Sequence, residues 1–177
     1  MATKKSIHIW ILFVSLIIAA WLLGSIIQAH AQTYTVKCRE ISHTVNFHKT
    51  EVGDVPGHII AMVDNAGVLS CDDGSIATTS TKAVLDLIKG SGMGQGYSLD
   101  TYEDGSTQWT KFQETTTLSS DGKTARWEGT SEFIKGTGRF EGIQGTNSFS
   151  GKRLQSVPGG GAQLYTDSIN TYTLPSK

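Results

Sequence analysis

The alternation of apolar and polar residues after residue 31 predicts short β-strands separated by tight turns. Runs of Thr, Val, Tyr, Phe and Trp end at Asp-Gly and Asn-Ala-Gly segments, which is typical of consecutive hairpins in an all-β sandwich or barrel. Residues 80–89 fit a helical face and a strand, and we favour a strand. Gln155–Ala162, with Pro158 and three consecutive glycines, is predicted to be a flexible loop. The other predicted strands are 34–48, 57–64, 67–71, 92–102, 107–118, 124–134, 145–154 and 162–174.

Two dipeptides, Asp104-Gly105 and Asp121-Gly122, set the registers of three neighbouring strands. Both are of the kind favoured in two-residue hairpin loops. With such loops, the numbers of paired residues sum to 209 across the first turn and to 243 across the second. A four-residue loop would keep the same residues inside, whereas a loop with an odd number of residues would invert the faces.

Strand 124–134 indicates which face points inward. Arg126, Glu128 and Glu132 alternate along one of its faces, so we expect the opposite face to be interior. Pairing across the two turns extends this face to the neighbouring strands and places Asp100 on the outside. The interior residues that we expect to line a ligand site are Met93, Gln95, Tyr97, Phe112, Glu114, Trp127, Gly129 and Phe133.

Glu114 is the one acidic residue on this predicted interior face. Beside Gln95 and Gly129, an enclosed carboxyl group needs hydrogen-bond partners or a raised pKa, because burial disfavours its charged form. Gln95 can donate one hydrogen bond, and the missing side chain of Gly129 is expected to leave free space for water or a ligand. The alternative is a position near the rim of the barrel, where solvent reaches the side chain. The inward aromatic residues fit a packed core as well as a ligand cage.

Glycine-containing motifs in the second half of the chain resemble those of one family. They are Gly-Gln-Gly-Tyr at 94–97, Tyr-Glu-Asp-Gly at 102–105, Gly-Thr-Gly-Arg-Phe-Glu-Gly-Ile-Gln-Gly at 136–145 and Ser-Phe-Ser-Gly at 148–151. Through them, residues 83–174 resemble the allene oxide cyclase-like β-barrels, which belong with the dirigent proteins and with small secreted bacterial barrels of unknown function.

The resemblance implies a single closed antiparallel barrel of about eight strands, of the calycin or allene oxide cyclase type. Its interior would be packed or would hold one small apolar ligand. Plant members isomerise oxylipin epoxides or guide phenoxy-radical coupling. The matching motifs here are turn glycines, so they carry over no working residue from the family.

The first 31 residues differ in character from the rest of the chain. Lys4 and Lys5 precede an apolar run over 7–27, and Ala29-His30-Ala31 forms a small-x-small cleavage site. This order predicts an N-terminal signal helix, cleaved after Ala31, and a β-barrel domain over 32–177 that is exported to the periplasm or the cell exterior. The apolar run is also long enough to span a bilayer, so an uncleaved membrane anchor is the alternative.

Charge and cysteine content narrow the other possibilities. Fifteen Lys and Arg against 16 Asp and Glu give a net charge of −1, which does not favour nucleic-acid binding. Cys38 and Cys71 are the two cysteines of the chain. In an oxidising compartment they could form a disulfide, and the alternative is two buried thiols that never meet.

The sequence indicates no metal site, no cofactor and no nucleophilic triad. A metal site would need ligands from the set His43, His48, His58, Glu40, Glu51 and Asp54. His43 and His48 are five residues apart and face opposite sides of a strand, so they cannot share a metal ion without a bulge. No Gly-x-Ser-x-Gly motif occurs. Three functions remain open: binding of a small apolar ligand inside the barrel, an isomerase or cyclase with Glu114 as acid/base, and an interaction or scaffold module with a packed interior.

We expect the exported protein to begin at Gln32. The intact mass of the purified mature protein tests this, because loss of residues 1–31 changes it by the mass of the whole segment. A species that retains Met1–Ala31 in the membrane fraction would contradict cleavage and favour the anchor.

Overall fold

The structure is a computed structural model and describes residues 32–154 and 163–176 of the 177-residue chain. In these ranges eight antiparallel strands form one closed barrel, in which each strand pairs with the next and β8 pairs with β1. The all-β barrel is thus confirmed, while the predicted signal helix and the loop 155–162 lie outside the described residues. The strands are β1 Gln32–Glu51, β2 His58–Cys71, β3 Ile76–Ile88, β4 Ser91–Tyr102, β5 Thr107–Leu118, β6 Ala125–Thr137, β7 Gln144–Leu154 and β8 Gln163–Leu174.

A single turn of 3₁₀ helix, Gly138–Phe140, follows β6. Across the part of the chain that the structure describes, no helix has the length and apolar character needed to cross a membrane.

One predicted break between strands is wrong. β2 runs without interruption through Asn65-Ala66-Gly67, where the sequence suggested a turn. The paired strand β1 has a bulge between Thr44 and Asn46, and a Cβ on Gly67 would collide with the backbone of β1. Gly67 therefore marks a close approach of two strands. The ambiguous segment 80–89 belongs to β3 up to residue 88, as favoured above.

The register of β5 against β6 is the predicted one. From Leu118 and Ala125 at the turn to Thr110 and Phe133, the numbers of the paired residues sum to 243. A bulge between Trp109 and Thr110 then shifts the sum to 244. The loop is longer than two residues, because the next backbone hydrogen bond joins the Ser119 amide to the Thr124 carbonyl at 2.9 Å. Four residues separate this pair. An even number leaves the same side chains inside.

The register of β4 against β5 differs from the predicted one by one residue. The Tyr102 amide donates to the Ser106 carbonyl at 2.9 Å, so the loop has three residues and the paired numbers sum to 208. Gly105 has φ = 78°, as a three-residue hairpin loop requires. Because side chains alternate along a strand, this single residue inverts both faces of β4. The inward residues of β4 are Gly92, Gly94, Gly96, Ser98, Asp100 and Tyr102.

An aromatic core fills one end of the barrel. The buried Phe140 packs against Tyr102 and Tyr172, with ring centroids 4.8 and 6.3 Å away. The Arg139 guanidinium lies 4.6 Å from the Tyr102 ring centroid and covers this end. Space for a ligand must therefore lie toward the opposite end. The core consists of Val36, Cys38, Leu69, Ala77, Tyr102, Phe133, Phe140, Ile143 and Tyr172.

A disulfide joins β1 and β2 at the filled end. Cys38 and Cys71 are opposite residues of the two strands, and their sulfur atoms are bonded. The Asn170 side-chain amide of β8 donates to Cys38 Sγ at 3.2 Å. The bridge spans a sequence separation of 33 residues, and closing a loop of this length restricts the unfolded chain.

We expect thiol titration of the unfolded, unreduced protein to find no free thiol. Reduction should lower the free energy of unfolding by about 2–4 kcal/mol, because it releases the loop closure, and the melting temperature should fall. The double variant Cys38→Ala/Cys71→Ala is the control, since reductant should leave its melting temperature unchanged. Two titratable thiols in the unreduced protein would contradict the bridge.

Candidate ligand-binding site

The inward side chains of the barrel line a cavity of about 410 Å³. Leu69 and Phe133 of the aromatic core form its floor, and it extends to the β3–β4 and β5–β6 turns, where Gly90 and Gly122 line it. This volume lies within the range of sites for small ligands. The wall combines apolar residues such as Phe47, Val63, Leu85 and Leu118 with polar residues such as Ser42, Thr81, Ser98 and Ser168.

Four of the eight predicted lining residues lie in the cavity wall. Phe112 and Glu114 of β5 and Trp127 and Phe133 of β6 point inward, because these two strands have the predicted register. Their placement follows from the charged outer face of β6. A role of these four residues in ligand binding stays a prediction.

The three predicted lining residues of β4 face the outside of the barrel. Met93 is 62% exposed and Tyr97 is 48% exposed, and Gln95 is exposed as well. The physical reason is the three-residue loop after β4, which shifts the pairing by one residue. Their prediction as interior residues is therefore wrong.

Glu114 lies between two glycines, one on each neighbouring strand. Gly94 of β4 and Gly129 of β6 are its pairing partners, so Gly94 takes the place predicted for Gln95. A Cβ on Gly94 would lie 2.9 Å from Cγ of Glu114, and one on Gly129 would lie 2.6 Å from Cζ of Phe149. The glycines make room for the carboxyl group and for the phenyl ring. The prediction of free space beside Gly129 is wrong, because Phe149 occupies it.

The environment of Glu114 favours its neutral form. Burial raises the pKa of Glu114 to about 7, and a hydrogen bond to Thr116 offsets this only in part. A carboxyl group with this pKa carries a proton in about half of the molecules at neutral pH and can exchange it with a ligand.

Two further carboxyl groups line the cavity, and the sequence analysis missed both as interior residues. Asp100 points inward because the faces of β4 are inverted, and Glu40 reaches the cavity from β1. Burial, together with the negative charge of Glu40, raises the pKa of Asp100 to about 7. Burial also raises the pKa of Glu40. The cavity thus contains three carboxyl groups whose ionised forms are disfavoured.

Three polar atoms of the wall have no hydrogen-bond partner among the described residues. They are Oδ1 of Asn65, Oγ of Ser131 and Oδ1 of Asn147. The buried Thr79 hydroxyl group instead interacts with the Asp100 carboxyl group and lowers its pKa. Leaving a buried polar atom unpaired costs about 1–3 kcal/mol, so native structures keep few of them. Water that enters the cavity can form hydrogen bonds with these atoms.

Aromatic rings form the apolar part of the wall. Phe112 packs edge-on against Phe149, with ring centroids 6.0 Å apart. The Trp127 indole Nε1–H donates to Oγ1 of Thr166 at 3.3 Å, and the ring lies so close over Gly151 that a Cβ there would collide with it. The polar atom of Trp127 is thereby satisfied, and its ring can offer an apolar face to a ligand.

His58 lies in the segment around the β1–β2 loop and interacts with carboxylates of two different elements. Its Nδ1 lies 2.6 Å from Asp54 Oδ1 and its Nε2 lies 2.7 Å from Asp86 Oδ1. Hydrogen bonds to Asp86 and to Asp54 raise the pKa of His58, because they stabilise the protonated ring. The residue therefore ties the loop to β3, which is a structural role.

The solved structures that are similar to this chain include two dirigent proteins. The pterocarpan synthase dirigent protein GePTS1 is 10% identical with a TM-score of 0.48, over 82% of this chain and 92% of that chain. The pterocarpan synthase dirigent protein PsPTS1 is 11% identical with a TM-score of 0.46, over 85% of this chain and 99% of that chain. No family model matches the chain, and no curated protein matches its sequence. The likeness concerns the fold alone.

We expect Glu114→Gln to stabilise the protein at neutral and alkaline pH. The pKa is about 7 in the folded protein against 4.5 when unperturbed, so the stability contributed by the protonated carboxyl is complete below about pH 4.5 and is lost as the pH rises through 7. Glutamine does not ionise, so the variant does not lose this stability. Its free energy of unfolding should exceed that of the unaltered protein by about 1–3 kcal/mol at about pH 8 and should be nearly the same near pH 4.5.

Urea denaturation at the two pH values measures this difference. Glu128→Gln, an exposed change on the outer face of β6, is the matched control and should show no such gain. An effect of Glu114→Gln that is equal at both pH values would contradict the raised pKa.

Proposed function

We propose that this protein is an exported β-barrel that binds a small molecule inside the barrel. The observation that carries the proposal is the cavity of about 410 Å³, which side chains from all eight strands line. An eight-stranded barrel has an interior that its own side chains can fill or that can hold one small ligand. A packed interior, which the scaffold alternative requires, does not fit a cavity of this size. Export rests on the N-terminal signal segment of the sequence.

The wall favours an amphipathic ligand over the wholly apolar one that the sequence suggested. Phe112, Phe149 and Trp127 offer apolar surface, whereas Asn65 and Asn147 present unpaired amide oxygens. A wholly apolar guest would leave these oxygens unsatisfied, at a cost that a polar group on the ligand avoids.

Proton transfer to a bound molecule is a second candidate function. Glu114 and Asp100 both have a pKa raised to about 7, mainly by burial, which suits general acid/base catalysis at neutral pH. An isomerase or cyclase would use such a group beside its substrate. In that case Glu114→Gln would keep ligand binding and lose turnover.

The binding proposal is tested with the neutral fluorescent probe N-phenyl-1-naphthylamine. Its emission should rise saturably with a stoichiometry of one, because the cavity replaces water around the probe. Ala83→Phe and Ser168→Phe place a ring in the cavity and should each weaken binding about tenfold or more.

Each of these variants has a control one residue further along the same strand. Val84→Phe and Ile169→Phe add a ring at exposed positions on the outer face, and both should bind the probe as the unaltered protein does. Thermal unfolding of all four variants checks that they fold. Equal probe affinity in the inward and outward variants would overturn the proposal.

A further inference from the structure

The charges that face the cavity are unbalanced. Glu40 of β1, Asp100 of β4 and Glu114 of β5 line it, and among the described lining residues Arg153 of β7 is the one basic side chain. Arg153 is exposed, at the end of the barrel away from the aromatic core. Within the barrel the three carboxyl groups therefore have no protein cation beside them.

The unpaired polar atoms share a second property: each can accept a hydrogen bond. The amide oxygens of Asn65 and Asn147 are acceptors only, and the hydroxyl oxygen of Ser131 can accept as well. Ser131 is 7% exposed, so water reaches its hydroxyl group poorly. Together with the carboxylates, they form a wall that needs hydrogen-bond donors.

The apolar part of the cavity can hold the rest of such a ligand. Trp127, Phe112 and Phe149 form an aromatic surface in the same space, and the side chains of Leu85 and Glu114 both lie close to the α-carbon of Gly94. Aromatic rings also attract cations, so this surface does not oppose a charged head group.

We infer that the cavity binds an organic cation, an amine or guanidine carried on a small apolar body, and this inference rests on the proposed binding function. The head group donates hydrogen bonds to the carboxylates and to the unpaired oxygens. The apolar body lies against the aromatic rings. An ammonium group has three donors and no acceptor, which complements a wall of acceptors.

Electrostatics makes this binding depend on pH. The titratable or charged groups that face the cavity from the described strands are Glu40, Asp100, Glu114 and Arg153, with Tyr102 behind Asp100. Burial raises the pKa values of Glu40, Asp100 and Glu114 because no cation stabilises their ionised forms. A bound ammonium group stabilises those forms. Binding near neutral pH must therefore release protons from the protein.

Three probes with one phenylbutyl body test the inference by isothermal titration calorimetry. They are 4-phenylbutylamine, 4-phenylbutan-1-ol and 4-phenylbutanoate, which present a cation, a neutral hydroxyl group and an anion. At about pH 8 we expect the amine to bind about tenfold or more tightly than the alcohol and the carboxylate to bind least. The amine should lose about tenfold or more in affinity at about pH 5.5, where the carboxyl groups are protonated, and the alcohol should not.

Variants locate the head group. Asp100→Asn and Glu40→Gln should each weaken amine binding about tenfold while they leave alcohol binding unchanged within a factor of about two. Glu128→Gln removes the same charge from the outer face of β6 and should change neither. Calorimetry in two buffers of different ionisation enthalpy should show proton release when the amine binds at about pH 7.

The outcomes separate this inference from the function on which it rests. If the neutral naphthylamine probe binds in the cavity but the amine shows no preference over the alcohol, the cation inference is overturned and the binding function stands. Tightest binding of the carboxylate would overturn it as well. If no probe binds and the inward ring variants change nothing, the binding function itself fails.

Discussion

The closure of eight strands into a barrel fixes an interior that side chains must fill or leave to a ligand. This chain fills one end with aromatic rings and leaves the other end partly empty. At the filled end, aromatic side chains pack together in one core with Cys38 of the disulfide between β1 and β2. They are Tyr102, Phe133, Phe140 and Tyr172. Toward the other end, β4 has glycine at three successive inward positions, and these contribute no side chain. The cavity is thus a direct consequence of which residues face inward on each strand.

The same interior explains the electrostatics of the site. A carboxyl group that faces the outside of a barrel is hydrated, whereas Glu114 and Asp100 face a small space bounded by rings and hydroxyl groups. Burial therefore raises both pKa values to about 7, and part of the folding free energy is lost when these groups ionise. Proteins often retain such unfavourable groups at functional sites, where a ligand compensates for them. In this barrel the missing partner is a hydrogen-bond donor with positive charge.

The closed β-barrel could be predicted from the sequence. Of the eight residues predicted to line its interior, only the four on β5 and β6 named above lie in the cavity wall. Asp104 and Asp121 form the same local contact, since each carboxylate accepts a hydrogen bond from the backbone amide two residues later, at 3.0 Å. The loop between β4 and β5 nevertheless has three residues, because its closing hydrogen bond joins Tyr102 and Ser106. The loop between β5 and β6 has four, because its closing hydrogen bond joins Ser119 and Thr124. The dipeptide Asp-Gly specifies a turn, but its length depends on contacts between whole strands.

The composition of β4 concealed this difference of one residue. Its odd-numbered positions include Met93 and Tyr97, which look like interior residues, and its even-numbered positions begin with glycines. In the barrel the large side chains are on the outside and are about half exposed or more. The succession of Gly92, Gly94 and Gly96 was the available signal, because glycines recurring on one face of a strand leave space on that face.

The barrel encloses carboxyl groups that no cationic side chain of the described residues neutralises. Carbon-13 NMR titration of the side-chain carboxyl carbons tests this most directly, because each resonance reports the protonation of one residue. We expect Asp100 and Glu114 to titrate near 7 in the ligand-free protein. Both midpoints should fall when 4-phenylbutylamine is added, since the bound cation favours the ionised forms. Titration of both residues near their ordinary values of about 4 in the ligand-free protein would contradict the account.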